Sequence, residues 1–154
     1  MPWLAAAVLI AGIATFAATR HHGTAASPVL PHRSATFTAA ERSVAYEFVA
    51  TAVARKQLAR AWAIAAPELK QGMSLDEWKT GTIPVVPYPV GQARPVYHVI
   101  NSFTDTASIQ VDFVPRAGSS AHAAAFALDL RNVVGHWLVS AWQPTSTIAP
   151  HKGT

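Results

Sequence analysis

The stretch from Val96 to Pro144 limits the possible folds more than any other part of the chain. Ile109, Val111 and Phe113 alternate with Ser108, Gln110 and Asp112, and Phe126, Leu128 and Leu130 alternate with Ala125, Ala127, Asp129 and Arg131. Period-two alternation is the mark of a strand with one buried face. Trp137, Val139 and Ala141 alternate with Leu138, Ser140 and Trp142, which assigns them to opposite faces of a last strand. A first strand over Val96–Thr104 is less regular, with Val96, His98 and Ile100 on one side and Tyr97, Val99 and Asn101 on the other. Asp105-Thr106 and Asn132 to Gly135 supply hairpin turns, and Arg116 to Ser120 is a looser connection containing Gly118. The pattern predicts four antiparallel strands in two hairpins with one apolar face, and that face needs a cover.

Only the upstream sequence can supply the cover. Thr38-Ala39-Ala40-Glu41 has the form of a capping box, a threonine N-cap with glutamate three residues on. Val44, Phe48, Val49 and Ala52 follow at helical spacing, and a break is expected near Arg55-Lys56-Gln57. A second short helix should carry Leu58, Ala61, Trp62 and Ala65 and end before Pro67. Ser74-Leu75-Asp76-Glu77 is a second capping box, opening a helix of one or two turns that holds Trp78 and stops at Gly81. Pro84, Pro87 and Pro89 forbid a central strand over Thr82–Val90 and leave an edge strand or an extended arm. Helices on one face of an antiparallel sheet make an α+β domain.

Charge and composition exclude several functions. The pI near 9.9 invites a nucleic-acid reading. Yet residues 37–145 hold nine Lys/Arg against eight Asp/Glu, and the excess lies at Arg20, Arg33 and Lys152. A nucleic-acid binder concentrates basic charge on one face, so no nucleic-acid partner is expected. The chain has no cysteine, which removes disulfides, thiolate metal sites and a cysteine nucleophile.

Residues 1–19 contain the apolar run Trp3–Ala18, uncharged until Arg20. It reads as a membrane anchor or as the apolar region of a signal segment. Residues 20–36 read as a linker and residues 146–154 as a tail, with the α+β domain at 37–145 between them. His21, His22 and His32 could meet a metal only if the linker fixed their geometry, and its composition argues against that.

The order of these features resembles a family. Phe48-Val49 and Ala61-Trp62, then Pro67-Glu68-Leu69, Gly72-Met73-Ser74, Trp78 and Gly81, then a sheet ending in Trp137-x-Val139-x-x-Trp142-x-Pro144, are similar to the nuclear transport factor 2-like (cystatin-like, SnoaL-like) superfamily. Within it the chain most resembles membrane-anchored bacterial domains of the cell envelope. The resemblance implies a cone-shaped fold, a curved sheet wrapped around a long helix with a cavity at the wide end. It does not imply one function, because the fold hosts enzymes and binding modules alike.

Enzymes of this shape need ionisable groups converging in an apolar pocket. The candidates are His98, Asp112, Asp129, His122 and His136, with Tyr46, Tyr88 and Tyr97. Alternation points Asp112 and Asp129 toward solvent, with Asp129 beside Arg131, and leaves His98 as a candidate for the inner face. No catalytic residue, metal ligand or cofactor is assigned: histidines paired at helical spacing, carboxylate-histidine clusters, glycine-rich phosphate loops and Gly-x-Ser-x-Gly are all absent from the sequence. Candidate ligand-binding residues at the cone or its mouth are Trp62, Trp78, His98, Trp137 and Trp142.

The leading expectation is a non-enzymatic, single-pass, membrane-tethered binding or scaffold domain of the bacterial cell envelope. It would lie outside the cytoplasm and dock a partner protein, or another copy of itself, through the sheet face or cone mouth. The alternative is a small-molecule binder or an isomerase- or dehydratase-like enzyme using the cone.

Overall fold

The computed structural model describes residues 36–145. The expected anchor, most of the linker and the tail lie outside the described residues. Within them, no helix is long and apolar enough to cross a membrane.

Helix α1 (Ala39–Phe48) starts at the first capping box: Thr38 caps the backbone of Glu41, and the Glu41 side chain returns to the Thr38 backbone. The helix runs on through a π-helical turn, Val49–Val53. It then breaks where the sequence places the break, with Arg55 and Gln57 in left-handed conformations. Helix α2 (Leu58–Ala63) follows. A one-turn helix α3 (Pro67–Lys70) was not anticipated; Pro67 sits at its first position, where a missing N–H costs nothing. Helix α4 (Leu75–Lys79) opens on the second capping box, Ser74 and Glu77, and the chain turns away through Gly81 at φ 88. The proline-rich stretch is an extended arm rather than a strand. It ends in a single 3-10 turn, Val90–Gln92.

The sheet is a four-stranded antiparallel meander in the order β1-β2-β3-β4: β1 (Ala93–Ser102), β2 (Thr106–Pro115), β3 (Ala124–Val133) and β4 (His136–Pro144). Helix α1 packs against β3 and β4, and α3 against β4. The covered face carries Ile109, Val111 and Phe113 from β2 and Phe126, Leu128 and Leu130 from β3, all buried as alternation predicts. They meet Ala45, Phe48, Val49, Ala52 and Val53 from the helical layer. The outer edge of β4 is not open along its length. Ala66 N donates to Val139 O and Val139 N to Ile64 O, both at 2.8 Å, so residues 64–66 run beside it.

Two bulges change the faces read from the sequence. In β4, Val139 pairs with Leu130 and Trp142 with Leu128, so Ser140 and Ala141 together oppose Asp129. The extra residue inverts everything after it. Trp142, expected on the face opposite Val139, therefore joins it in the core, and Ala141 faces outward. In β1 the pairing steps from Val99–Ile109 to Asn101–Ser108, leaving Ile100 as the extra residue. Upstream of that bulge, and independently of it, His98 pairs with Gln110 and Val96 with Asp112, so both lie on the outer face, and Tyr97 and Val99, not His98, take the inner one. Past the bulge, Ser102 pairs with Ala107 and is turned toward the helices.

Candidate functional site

The five residues singled out from the sequence do not form one site. Trp142 is a core residue. It stacks on Phe126 at 4.5 Å with an 8° interplanar angle, and its indole Nε1 donates to Val86 O at 3.0 Å. Trp78 is fully buried between α4 and α2, edge-on to half-buried Trp62 at 5.5 Å. Its Nε1 has no hydrogen-bond partner. Lys70 lies over the Trp62 ring at 4.3 Å, and burial lowers the pKa of its ammonium. Trp137 sits at the far end of β4, and His98 is on the opposite face of the sheet.

The interior between helices and sheet is filled. Phe48, Phe113, Phe126 and Trp142 are all buried, with ring centroids 4.5–6.4 Å apart in the pairs they make. Tyr88 closes one end. It stacks on Phe113 at 4.1 Å, its hydroxyl donates to His122 O at 2.7 Å, and burial raises its pKa. The tyrosines are therefore packing groups at the margin of the core. Tyr97 meets Tyr46 at 4.5 Å, and its phenol is pushed well above the usual tyrosine range, first by burial and then by Tyr46.

Among the described residues, one charged side chain is buried on the covered face. Glu41 is only 1% exposed. Its Oε2 accepts from Thr38 N at 2.9 Å and its Oε1 from Ser102 Oγ at 2.8 Å. The β1 bulge makes the second bond possible, because an unbulged strand would turn Ser102 to solvent. Glu41 lines an open concavity of about 310 Å³ together with Thr38, Ser102, Phe103, Thr104 and Trp137. With each carboxylate oxygen already holding a donor, Glu41 acts as a strut between α1 and β1.

The exposed face of the sheet is the more extensive polar surface. Ser108 Oγ donates to Asp129 Oδ1 at 2.7 Å across β2 and β3, and Gln110 Nε2 donates to Asp112 Oδ1 at 2.8 Å along β2. His98 Nε2 lies 3.2 Å from Asp112 Oδ2, and Ser140 Oγ donates to Asp129 O at 3.2 Å. Arg131 does not pair with Asp129; its guanidinium reaches Glu68 on α3. Between these groups lie Ala125, Ala127 and Ala141, opposite Asp112, Gln110 and Asp129. The result is a low surface rich in acceptors, its side chains held in place by their own hydrogen bonds.

A third feature is a groove of about 380 Å³ beside the π turn, lined by Tyr46, Val49, Ala50, Val90, Pro95 and Tyr97. Sequence reasoning assigned no role to Glu41 beyond capping, nor any to Ser102 and Phe103. The available signal was Phe103 beside a hairpin turn, where polar residues are the norm. Among the described residues no group of three His, Asp or Glu side chains is placed to hold a metal ion. Comparisons with protein-family models, curated proteins and solved structures returned no match to this chain.

Proposed function

We propose that this chain is a non-enzymatic, membrane-tethered binding and scaffold domain of the bacterial cell envelope, with a nuclear transport factor 2-like α+β fold. It docks a partner protein on the exposed face of its sheet. The observation that carries this reading is the contrast between the two faces. The covered side is occupied by Phe48, Phe113, Phe126 and Trp142, and its buried carboxylate, Glu41, already holds a donor on each oxygen, whereas His98, Asp112 and Asp129 lie on the other side. Proton-transfer chemistry in an apolar pocket needs the reverse arrangement.

The exposed face suits a protein partner for three reasons. It is low, because alanines alternate with the polar groups. It is preorganised, because Ser108, Gln110 and Ser140 are already bonded, so little side-chain entropy is lost on docking. It is acceptor-rich, because Asp112 and Asp129 sit mid-face while Arg131 is drawn aside by Glu68. A complementary partner therefore presents lysine, arginine or amide donors.

The test is Ala127→Arg, which places a long charged side chain mid-face and removes no hydrogen bond. Membranes are solubilised gently and the native mass of the complex is compared with wild type. Loss of the larger species, with the thermal unfolding curve unchanged, supports the docking face. An unaltered complex overturns it.

A further inference from the structure

The two hairpin turns of the meander lie at the same end of the sheet, because Asn132 N donates to Asp105 O at 2.7 Å between them. Hairpin turns are ordinarily built from Gly, Asn, Asp and Ser. Here they and their flanks carry exposed apolar side chains: Val134 at 93%, Ile100 at 61%, Phe103 at 52% and Val133 at 38%. Ile100 is the bulged residue of β1, so the irregularity that turns Ser102 inward also leaves an isoleucine outside.

Val134 is the most telling of the four. It occupies the first position of a two-residue turn, with Val133 paired to His136 across it. Its φ is +51°, followed by Gly135 at +84°. A β-branched residue is strained in that region, where asparagine or glycine fits without cost. Valine is therefore unfavourable at this position both for the backbone and for its contact with water. An apolar environment around the turn offsets the second cost.

The chain also enters the domain at this end. Thr36, Phe103, Thr104 and Trp137 line the same concavity, and the apolar run Trp3–Ala18 lies upstream of Thr36 in sequence. Phenylalanine, tryptophan and aliphatic groups together are the apolar side chains that insert at the headgroup/acyl boundary of a bilayer. The acidic side chain in these turns is Asp105, with His136 nearby, so a zwitterionic surface fits better than a strongly anionic one.

We infer that the turn end of the sheet, through Phe103, Val133 and Val134 with Ile100 beside them, rests in the interfacial region of the membrane. The domain is thereby oriented with its strands pointing away from the bilayer and its polar face free to the side. This rests on the membrane-tether reading and adds an orientation to it.

The chain has no cysteine, so single labelling sites can be introduced cleanly. Full-length Val134→Cys and Phe103→Cys carry an environment-sensitive fluorophore, with Ala117→Cys in the exposed connection between β2 and β3 as the control. A ten-residue strand puts that control about 30 Å away. The labelled proteins are reconstituted into phosphatidylcholine vesicles, with and without nitroxide-labelled lipid, and flotation is measured in parallel. Blue-shifted emission at positions 103 and 134 that is quenched by the nitroxide lipid, with position 117 unaffected, is the expected result. Protein that floats while both turn labels report water overturns the orientation and leaves the tether standing. A blue shift that the nitroxide lipid does not quench assigns the turns to a protein contact and also overturns the inference. Protein that fails to float overturns the tether and the orientation together.

Discussion

Replacing Glu41 with alanine removes a side chain that hydrogen-bonds α1 to β1. Two bonds are lost, Thr38 N to Oε2 at 2.9 Å and Ser102 Oγ to Oε1 at 2.8 Å. Hydrogen bonds to a carboxylate contribute about 1.5–3 kcal/mol each, and both donors are only partly buried, so the low end applies. The expected loss is about 3 kcal/mol, a large part of the stability of a domain this size. Ser102→Ala removes one of the two bonds and should cost about 1.5 kcal/mol. The double variant should cost no more than Glu41→Ala alone, which gives a coupling of about 1.5 kcal/mol. Urea unfolding followed by tryptophan fluorescence measures all three, and the midpoint should move while the slope stays constant. A Glu41→Ala cost below about 0.5 kcal/mol with no coupling to Ser102 would refute the strut and the β1 bulge geometry with it.

Deleting Ser140 should leave the fold intact at a cost of about 1–2 kcal/mol, because a regular β4 then keeps both Val139 and Trp142 facing the core. Deleting Leu138 instead turns Val139 outward and should abolish cooperative unfolding; circular dichroism and urea titration separate the two cases. Val134→Asn should stabilise the domain in detergent solution by about 1 kcal/mol by relieving the left-handed valine, as a shift of the urea midpoint will show. Trp78→Phe should cost less than Trp142→Phe although Trp78 is the more deeply buried. The first removes an N–H without a partner, and the second breaks the bond to Val86 O. Tyr97 has a raised pKa in the folded state, so its contribution to stability is complete below the ordinary tyrosine value of 10.0 and is lost as pH rises beyond it. Tyr97→Phe should flatten the alkaline side of the stability profile, measured as the urea midpoint against pH.

Local signals carried most of the secondary structure. Both capping boxes formed at Thr38–Glu41 and Ser74–Glu77, because four consecutive residues contain everything such a cap needs. The faces of β2 and β3 followed from alternation, since neither strand is interrupted. The faces of β4 and of the end of β1 did not. Period-two reading counts each residue once in the ladder, whereas Ser140 and Ile100 add one each. Nothing in the local composition marks those two as extra, because the bulges are set by cross-strand needs. One brings the Trp142 ring onto Phe126, and the other brings Ser102 to Glu41. His98 lies upstream of the bulge and has a different cause: its apolar neighbour Val96 shares the outer face with it, while the inner face of β1 is carried by Tyr97 and Val99. Large aromatics are legible as anchors, but sequence gives no distance between them: of Trp62, Trp78, Trp137 and Trp142, the fold brings Trp62 and Trp78 together at 5.5 Å and places Trp137 and Trp142 elsewhere. The outer-face ladder was half legible. Alternation places Asp112 and Asp129 on the outer face together with Gln110, which bonds Asp112 along the same strand, whereas Ser108 and His98 reach their aspartates across strands, and sequence does not give that register.

In-cell photocrosslinking tests the proposed docking on the exposed face of the sheet most directly. A photoreactive residue at Ala127 sits mid-face between Gln110 and Gln143, and the same residue at Ala117 reports the connection at the far end. Docking on this face gives a discrete adduct of higher mass from Ala127 in purified membranes, absent from Ala117 and lost with an Asp112→Lys, Asp129→Lys double substitution. An adduct with a second copy of the chain would identify the partner as the protein itself. Monomer alone from Ala127, with the protein abundant and the photoreactive group active, would rule out docking on this face.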